Sequence, residues 1–407
     1  MIPRSNARAL VIIQPMQQRV LVIPDKFKGT LTSQQAAAAI AAGWKKGRPR
    51  DKVETAPMSD GGDGFGRVLS DLLRAKPMMV MTLDAAHRPC RATWWYQPLT
   101  RTAIIESANI VGLAMLPPGR YHPFELDTFG LASIFKRALD AGAKRCYIGI
   151  GGSATNDGGF GLARGLGWKF LNDRREEITS PFHLHLLRSI EKPVGYATRC
   201  RLIVAVDVTN PLLGPLGCSR VFGPQKGLRA PDMRHAETCL RRLAEITSRV
   251  VGKDFRDDIG AGAAGGLGFG LMAFLGAKSV GGFQLFSRAA KLSARLKRAD
   301  LVITGEGALD ASSVMGKAAG SLAAMCRRRK IPCLALAGKI KEKEKVAGYF
   351  RFVGALVDMT SEAEARKNPA RWLEKLAEKT ARQSDAAGGE TAPVVPKTQY
   401  PLRELKG

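Results

Sequence analysis

Short apolar runs that break off into glycine- and carboxylate-bearing loops, with helix-patterned segments behind them, recur along this 407-residue chain. Residues 20–23 lead into the loop 24–31 and then a helix over 34–46, which the hydroxyl of Thr32 or Ser33 is placed to cap. Residues 53–56 end in the loop 57–64, with a helix to about Arg74 behind it. Residues 146–148 end in the loop 149–159, where five glycines surround Asp157, and a helix starts near Phe160. Residues 202–206 end at Asp207, and residues 301–304 end in Gly305-Glu306-Gly307. Such repeats bury both faces of their strands in a parallel sheet covered by helices. In those sheets ligands bind at the carboxyl ends of the strands, where these loops lie.

The fold class expected is α/β with two domains. Residues 16–85 and 296–382 make a doubly wound, Rossmann-like parallel-sheet domain from both chain ends, with a helix over 316–328, strands over 333–337 and 352–357, and a last helix over 362–382. Residues 86–295 form an inserted mixed α/β domain. It opens with a Val-, Thr- and Trp-rich meander that begins near Met79, and it contains helices over 131–141 and 232–250 and a polar, loop-like stretch over 172–200. A single amphipathic helix is expected around 285–298. Residues 1–15 read as an arm ahead of a possible start at Met16, with an apolar stretch too brief for a signal-peptide core, and residues 383–407 as a flexible tail.

Several chemistries are excluded by the letters. No G-x-x-x-x-G-K-[ST] loop exists, since Ala311 stands where the first glycine before Gly316-Lys317 should be. Gly260-Ala261-Gly262-Ala263-Ala264-Gly265 fits the dinucleotide spacing, but no strand precedes it and no acidic residue follows about twenty positions on, so it reads as close packing or a turn. There is no G-x-S-x-G elbow and no H-E-x-x-H. The seven cysteines are scattered, which suits a reducing cytoplasm, and no span is long and apolar enough for a membrane. His183 and His185 sit two apart without further ligand candidates nearby, so a surface or loop role is expected. The net charge of +27 suits an anionic ligand; no aromatic residues interleave with the basic runs, so no specific nucleic-acid surface is expected.

The five loops at 25–31, 60–66, 149–159, 207–227 and 305–317 together hold the inventory of phosphoryl transfer. That chemistry uses cations and backbone amides for the phosphates, carboxylates for Mg²⁺, and a carboxylate to accept a hydroxyl proton. Asp207 directly follows a buried strand and is placed as general base or metal ligand, the competing reading being an Asx-turn with Thr209 and Asn210.

The motifs Pro24-Asp25-Lys26-Phe27-Lys28-Gly29-Thr30-Leu31, Met58-Ser59-Asp60-Gly61-Gly62-Asp63-Gly64, the loop 149–159, Asp207-Val208-Thr209-Asn210-Pro211-Leu212, Val221-Phe222-Gly223-Pro224-Gln225-Lys226-Gly227 and Thr304-Gly305-Glu306-Gly307 resemble those of bacterial class I glycerate kinases. The resemblance implies ATP-dependent, Mg²⁺-assisted phosphorylation of D-glycerate, usually at the 2-hydroxyl, in an interdomain cleft. Under it the catalytic candidates are Asp207, Lys28 and Asp157, and the glycerate contacts are Asp60, Asp63, Ser153, Asn156 and Asn210. Gly151, Gly152, Thr155, Lys226 and Gly305 would bind nucleotide phosphates, and Asp207, Glu306 and Asp310 would hold Mg²⁺. Three positions depart from the family pattern: Lys26 replaces the usual serine, Ala308 the usual arginine and Ser312 the common glutamine. They leave open a kinase for another small hydroxy acid. From a different class, a basic nucleic-acid-binding protein on a dead kinase fold is the remaining alternative.

Overall fold

The computed structural model describes residues 16–193, 200–314 and 317–386. Thirteen strands run in chain order among them: β1 (Arg19–Pro24), β2 (Lys52–Thr55), β3 (Lys76–Leu83), β4 (Pro89–Gln97), β5 (Thr102–Glu106), β6 (Arg145–Gly149), β7 (Lys169–Leu171), β8 (Ser189–Glu191), β9 (Arg201–Val206), β10 (Lys278–Gly281), β11 (Leu301–Leu309), β12 (Cys333–Ile340) and β13 (Phe352–Ala355). A five-stranded sheet has the order β13-β12-β11-β1-β2, all parallel, and so draws on both chain ends. A six-stranded sheet has the order β10-β9-β6-β5-β4-β3, parallel except for its β5-β4-β3 edge. β7 and β8 form a separate antiparallel pair.

Strand β1 shows why the first sheet is doubly wound. Its residues alternate between faces: Val20 and Val22 join the cluster of Ile40, Trp44 and Leu373, while Leu21 and Ile23 join that of Phe65, Phe286 and Leu322. Helices therefore cover both sides. The first of them, Ser33–Gly47, starts with a capping box in which the Thr32 hydroxyl accepts from the Gln35 amide and Gln35 reaches back to the Thr32 amide.

The second sheet packs Ile105, Ile148 and Val204 against Phe135, Leu243 and Phe269. Its other face contributes Trp95, Ile104 and Ala205 to the cluster that holds Leu21, Phe65 and Leu285. The two sheets thus share a core through the helix Phe65–Leu73. Gly66 makes this contact possible, because a Cβ there would collide with the Trp95 ring.

Local differences from the sequence expectation have identifiable causes. The meander begins at Lys76, so the second sheet starts before residue 85. The helix expected over 285–298 is two helices, Gly282–Ala289 and Leu292–Leu296, divided where Lys291 takes a left-handed conformation at φ 48°. The last helix is also two, Glu362–Lys367 and Pro369–Ala386, because Pro369 lacks an amide hydrogen and suits a helix start. That second helix runs through Ala386, past the expected tail boundary at 383. The stretch over 172–200 contains the 3-10 helix Pro181–Leu186 and β8. The readings for residues 1–15, Gly316 and 387–407 fall outside the described residues. Among the described residues, no helix is long and apolar enough to cross a membrane.

Candidate active site

The carboxyl ends of strands from both sheets meet in a group of carboxylates. Asp25 follows β1 directly, Asp60 lies on the loop after β2, Asp207 follows β9, and Glu306 lies within β11. Residues 305–307 are strand rather than the expected turn, because β11 stays paired with β12 as far as Leu309–Ile340. Pairing with β1 ends at Pro24–Gly305, and the Asp25 amide then donates to the Gly305 carbonyl at 2.8 Å. Glu306 therefore comes out beside the loop that carries Asp25. Gly305 itself is part of the ladder on both sides, which leaves it poorly placed for the phosphate contact expected of it.

These carboxylates crowd one another. Burial, then the charge of Asp60, pushes Asp25 up to about 7. Burial also pushes Glu306 up to about 7, against the opposing pull of Ser313 and Lys317. Asp207 keeps water contact at its surface, yet the surrounding protein mass and the charge of Asp60 raise its pKa as well. Lys26 is the cation among them: its Nζ lies 3.8 Å from Asp60 Oδ1 and 3.5 Å from the Asp63 carbonyl. Burial works against the ammonium, but Asp60, Asp25, Asp63 and Asp207 together hold its pKa above the ordinary lysine value.

A cavity of about 290 Å³ opens beside this group. Asp25, Asp60 and Glu306 form its acidic end, Lys28 and Lys317 supply cations, Lys339 and Arg366 both pair with Glu362 on the lining, and Leu356, Val357 and Pro369 give an apolar wall. Ala308 also lines it and pairs in register with Lys339, so a cation stands next to the position where the guanidinium is missing. The Lys317 ammonium donates to Ser312 Oγ at 2.9 Å. The carboxylates are oxygen donors of the kind a hard divalent cation takes, although among the described residues no three of them bring one oxygen each within 4.8 Å of one another.

The glycine loop 149–159 sits differently, and none of its residues lines the cavity. The Gly151 amide donates to the Gly61 carbonyl, which joins this loop to the one carrying Asp60 and Asp63. Ser153 and Thr155 bond to each other through their hydroxyls at 2.9 Å. Gly265 presses on the loop from the glycine-rich segment, where a Cβ would collide with the Thr155 carbonyl, which accounts for the glycines at 260–265 as close packing.

Asp157 is fully buried and accepts from the Thr128 amide and hydroxyl and from the Gly159 and Gly161 amides. Burial, with the charge of Asp127 added, raises its pKa. The catalytic role expected for it has no opening, because both oxygens serve the loop and the start of the helix Phe160–Gly165. Lys226 is corrected in the same way. Its ammonium donates to the Thr155 carbonyl at 2.7 Å beneath the loop, and burial pulls its pKa down to about 8, so it is a buried prop rather than a nucleotide contact.

Other candidates divide similarly. Asp310 accepts from the Ser312 hydroxyl at 2.6 Å and from the Ser313 amide at 3.0 Å; the Ser312 bond holds its pKa low, and it does not line the cavity. It caps the turn Ala311–Val314, and its charge still helps to raise the pKa of Glu306. Asn210 Nδ2 donates to the Leu216 carbonyl at 2.8 Å. Asn156 Nδ2 donates to Ser219 Oγ at 2.9 Å, while its Oδ1 is buried without a partner. Asp63 is exposed beside the Lys26 ammonium, and Gly152 lies against its carboxylate. Glu106 accepts from the Gly64 and Gly66 amides at 2.8 Å each and fixes the loop that carries Asp60.

Asp25 was not singled out from the sequence as a site residue, although it obeys the rule that marked Asp207: a carboxylate at the end of an apolar strand. Lys317 and Arg366 also line the cavity, and no local pattern in the sequence marks them for it.

The Glycerate kinase family model matches residues 20–385 of the chain. The chain is 35% identical over 373 residues to a protein of Bacillus subtilis (strain 168) named glycerate kinase, covering 91% of this chain and 97% of that protein. It is 34% identical over 328 residues to the glycerate 2-kinase of Escherichia coli (strain K12), covering 80% of this chain and 86% of that one. The crystal structure of the Salmonella typhimurium LT2 protein assigned as glycerate kinase 2 superposes with a TM-score of 0.78 at 32% identity, covering 92% of this chain and all of that one.

Proposed function

The chain belongs to the glycerate kinase family and is a kinase, and from that premise we propose that it transfers the γ-phosphoryl group of ATP to the 2-hydroxyl of D-glycerate, releasing 2-phosphoglycerate and ADP. The observation that carries this reading is the crowded carboxylate group in which Asp25, Asp60 and Glu306 form the acidic end of a cation-lined cavity and Asp207 stands close enough to feel the charge of Asp60.

Each part of the cavity suits one part of the reaction. Lys28, Lys317 and Lys339 offer charge to phosphate oxygens, and the wall of Leu356, Val357 and Pro369 offers an apolar face to a base. Asp25, Asp60 and Glu306 would hold Mg²⁺, which when bound neutralises charge on the triphosphate. Asp207 reaches the group from the second sheet, opposite the first-sheet carboxylates, and is the base assigned to the acceptor hydroxyl. Its raised pKa brings it closer to working pH, where a general base is most effective. The cysteines of the described residues are free, which supports a cytoplasmic setting.

Purified protein given Mg-ATP and D-glycerate should form ADP and 2-phosphoglycerate, resolved from the 3-phosphate by ³¹P NMR. No ADP above the glycerate-free control would overturn the reading, and 3-phosphoglycerate would overturn the regiochemistry. Ala308 and Lys26 also favour a second reading within the same class, a different small hydroxy acid as acceptor. A panel of hydroxy acids ranked by kcat/KM decides between the two acceptors.

A further inference from the structure

The fold brings His185, on the 3-10 helix Pro181–Leu186, against His235 and Cys239, which lie one turn apart on the helix Asp232–Val251. Each offers one ligand atom, and these atoms all lie within 4.8 Å of one another. His235 Nε2 and Cys239 Sγ are 3.4 Å apart. That matches neighbouring ligands on a tetrahedral Zn²⁺, where bonds of about 2.0–2.1 Å to nitrogen and 2.3 Å to sulfur put the ligand atoms roughly 3.3–3.6 Å apart. All three side chains also point at one backbone atom: the Phe182 carbonyl oxygen is 3.1 Å from His185 Nδ1, 2.8 Å from His235 Nε2 and 3.3 Å from Cys239 Sγ. A carbonyl has two lone pairs, so three donors oversubscribe it.

We propose that His185, His235 and Cys239 form a site for a zinc-class divalent cation that clamps the Pro181–Leu186 segment to the helix Asp232–Val251. Two imidazoles and a thiolate select a borderline-soft ion, whereas the carboxylates at the cavity suit Mg²⁺, so the two sites take different metals. Cys239 is buried and both imidazoles are half-buried, which gives the ion a protected thiolate and a way in from the surface. On binding, the Cys239 S–H proton passes to solvent as the metal–sulfur bond forms. The His235 proton shifts from Nε2 to Nδ1 and the His185 proton from Nδ1 to Nε2, so that each ring presents a lone pair where it had faced the Phe182 carbonyl. The Phe182 carbonyl or a water completes the coordination.

The test uses the full-length protein, stripped with a chelator, kept reduced with a phosphine and titrated with Co²⁺ alone. One equivalent should produce a near-ultraviolet thiolate-to-cobalt band with visible bands of a four-coordinate ion. Zn²⁺ should bleach them, and a large excess of Mg²⁺ should not. Cys239→Ser should lose the near-ultraviolet band, and His185→Gln, a change at a half-buried position, should weaken binding by about tenfold or more. Zn²⁺ should raise the Tm of the wild type and not that of His185→Gln. Absence of the thiolate band in the wild type, or its survival in Cys239→Ser, would overturn the proposal and leave the three side chains as a hydrogen-bonded cluster only.

Discussion

The loop 149–159 and the group of Asp25, Asp60, Asp207 and Glu306 are made of the same materials, carboxylates and glycines behind apolar parallel strands, yet they use them in opposite ways. In the glycine loop, Asp157 receives four donors from Thr128, Gly159 and Gly161. In the carboxylate group, Asp25 takes a single donor at 2.7 Å, the next residue's amide, and the main offset to several negative charges is Lys26. Burial raises the pKa of Asp157, Asp25 and Asp207 alike. The difference lies in how many hydrogen-bond donors meet each carboxylate. A buried carboxylate with its donors satisfied holds a loop, and one facing other carboxylates is ready for a cation or a proton.

The sharpest way to break this comparison is Asp207→Asn. It should lower kcat by about 10²- to 10⁴-fold, as expected for loss of a general base, while Tm stays close to the wild-type value. A Tm loss in proportion to activity would make Asp207 structural. Asp157→Ala should behave in the reverse sense. Its buried donors would lose their acceptor, so chemical denaturation should show a loss of about 2–4 kcal/mol, and the folded fraction should keep its kcat. A variant that folds normally but is inactive would return Asp157 to the chemistry.

The smallest effect expected is on the pH dependence of stability without Mg²⁺. Asp25 and Glu306 are pushed up to about 7 in the folded chain, from ordinary values of 3.8 and 4.5, so the folded state holds more protons between about pH 4 and 7. Their contribution is complete below the unfolded pKa values and is lost as pH rises through 7. Tm should therefore fall by a few degrees from pH 5.5 to 8, and Mg²⁺ should flatten that slope. A slope that Mg²⁺ leaves unchanged would separate the cation from these carboxylates.

Much of the fold was legible in the sequence because its signals are local. The alternation in Val20–Ile23, the Thr32 cap and the strand ending at Asp207 each rest on neighbours within a few residues. Asp25 obeys the same rule, since only Pro24 separates it from the apolar run 20–23. Lys226 and Asp157 misled for a physical reason. Lysine and aspartate in a glycine-rich stretch suggest a phosphate site, but Lys226 reaches the Thr155 carbonyl across 71 positions and Asp157 reaches Thr128 across 29. His183 is exposed and His185 half-buried, close to the surface role expected, but the neighbours of His185 are not local. His185 had no partner in its own segment, and the ones it has come from a helix about fifty positions further on.

The sequence by itself determined the alternation of strands and helices, most of the loops at the strand ends, and the family. Those follow from side-chain periodicity, caps and turn residues, which act over a few positions of chain. Only the tertiary structure decided which polar groups stay satisfied and which are left crowded. Desolvation and hydrogen-bond pairing depend on atoms brought in from distant segments, and so Asp157 became a brace, Asp25 joined Asp60 and Glu306, and Cys239 met two imidazoles.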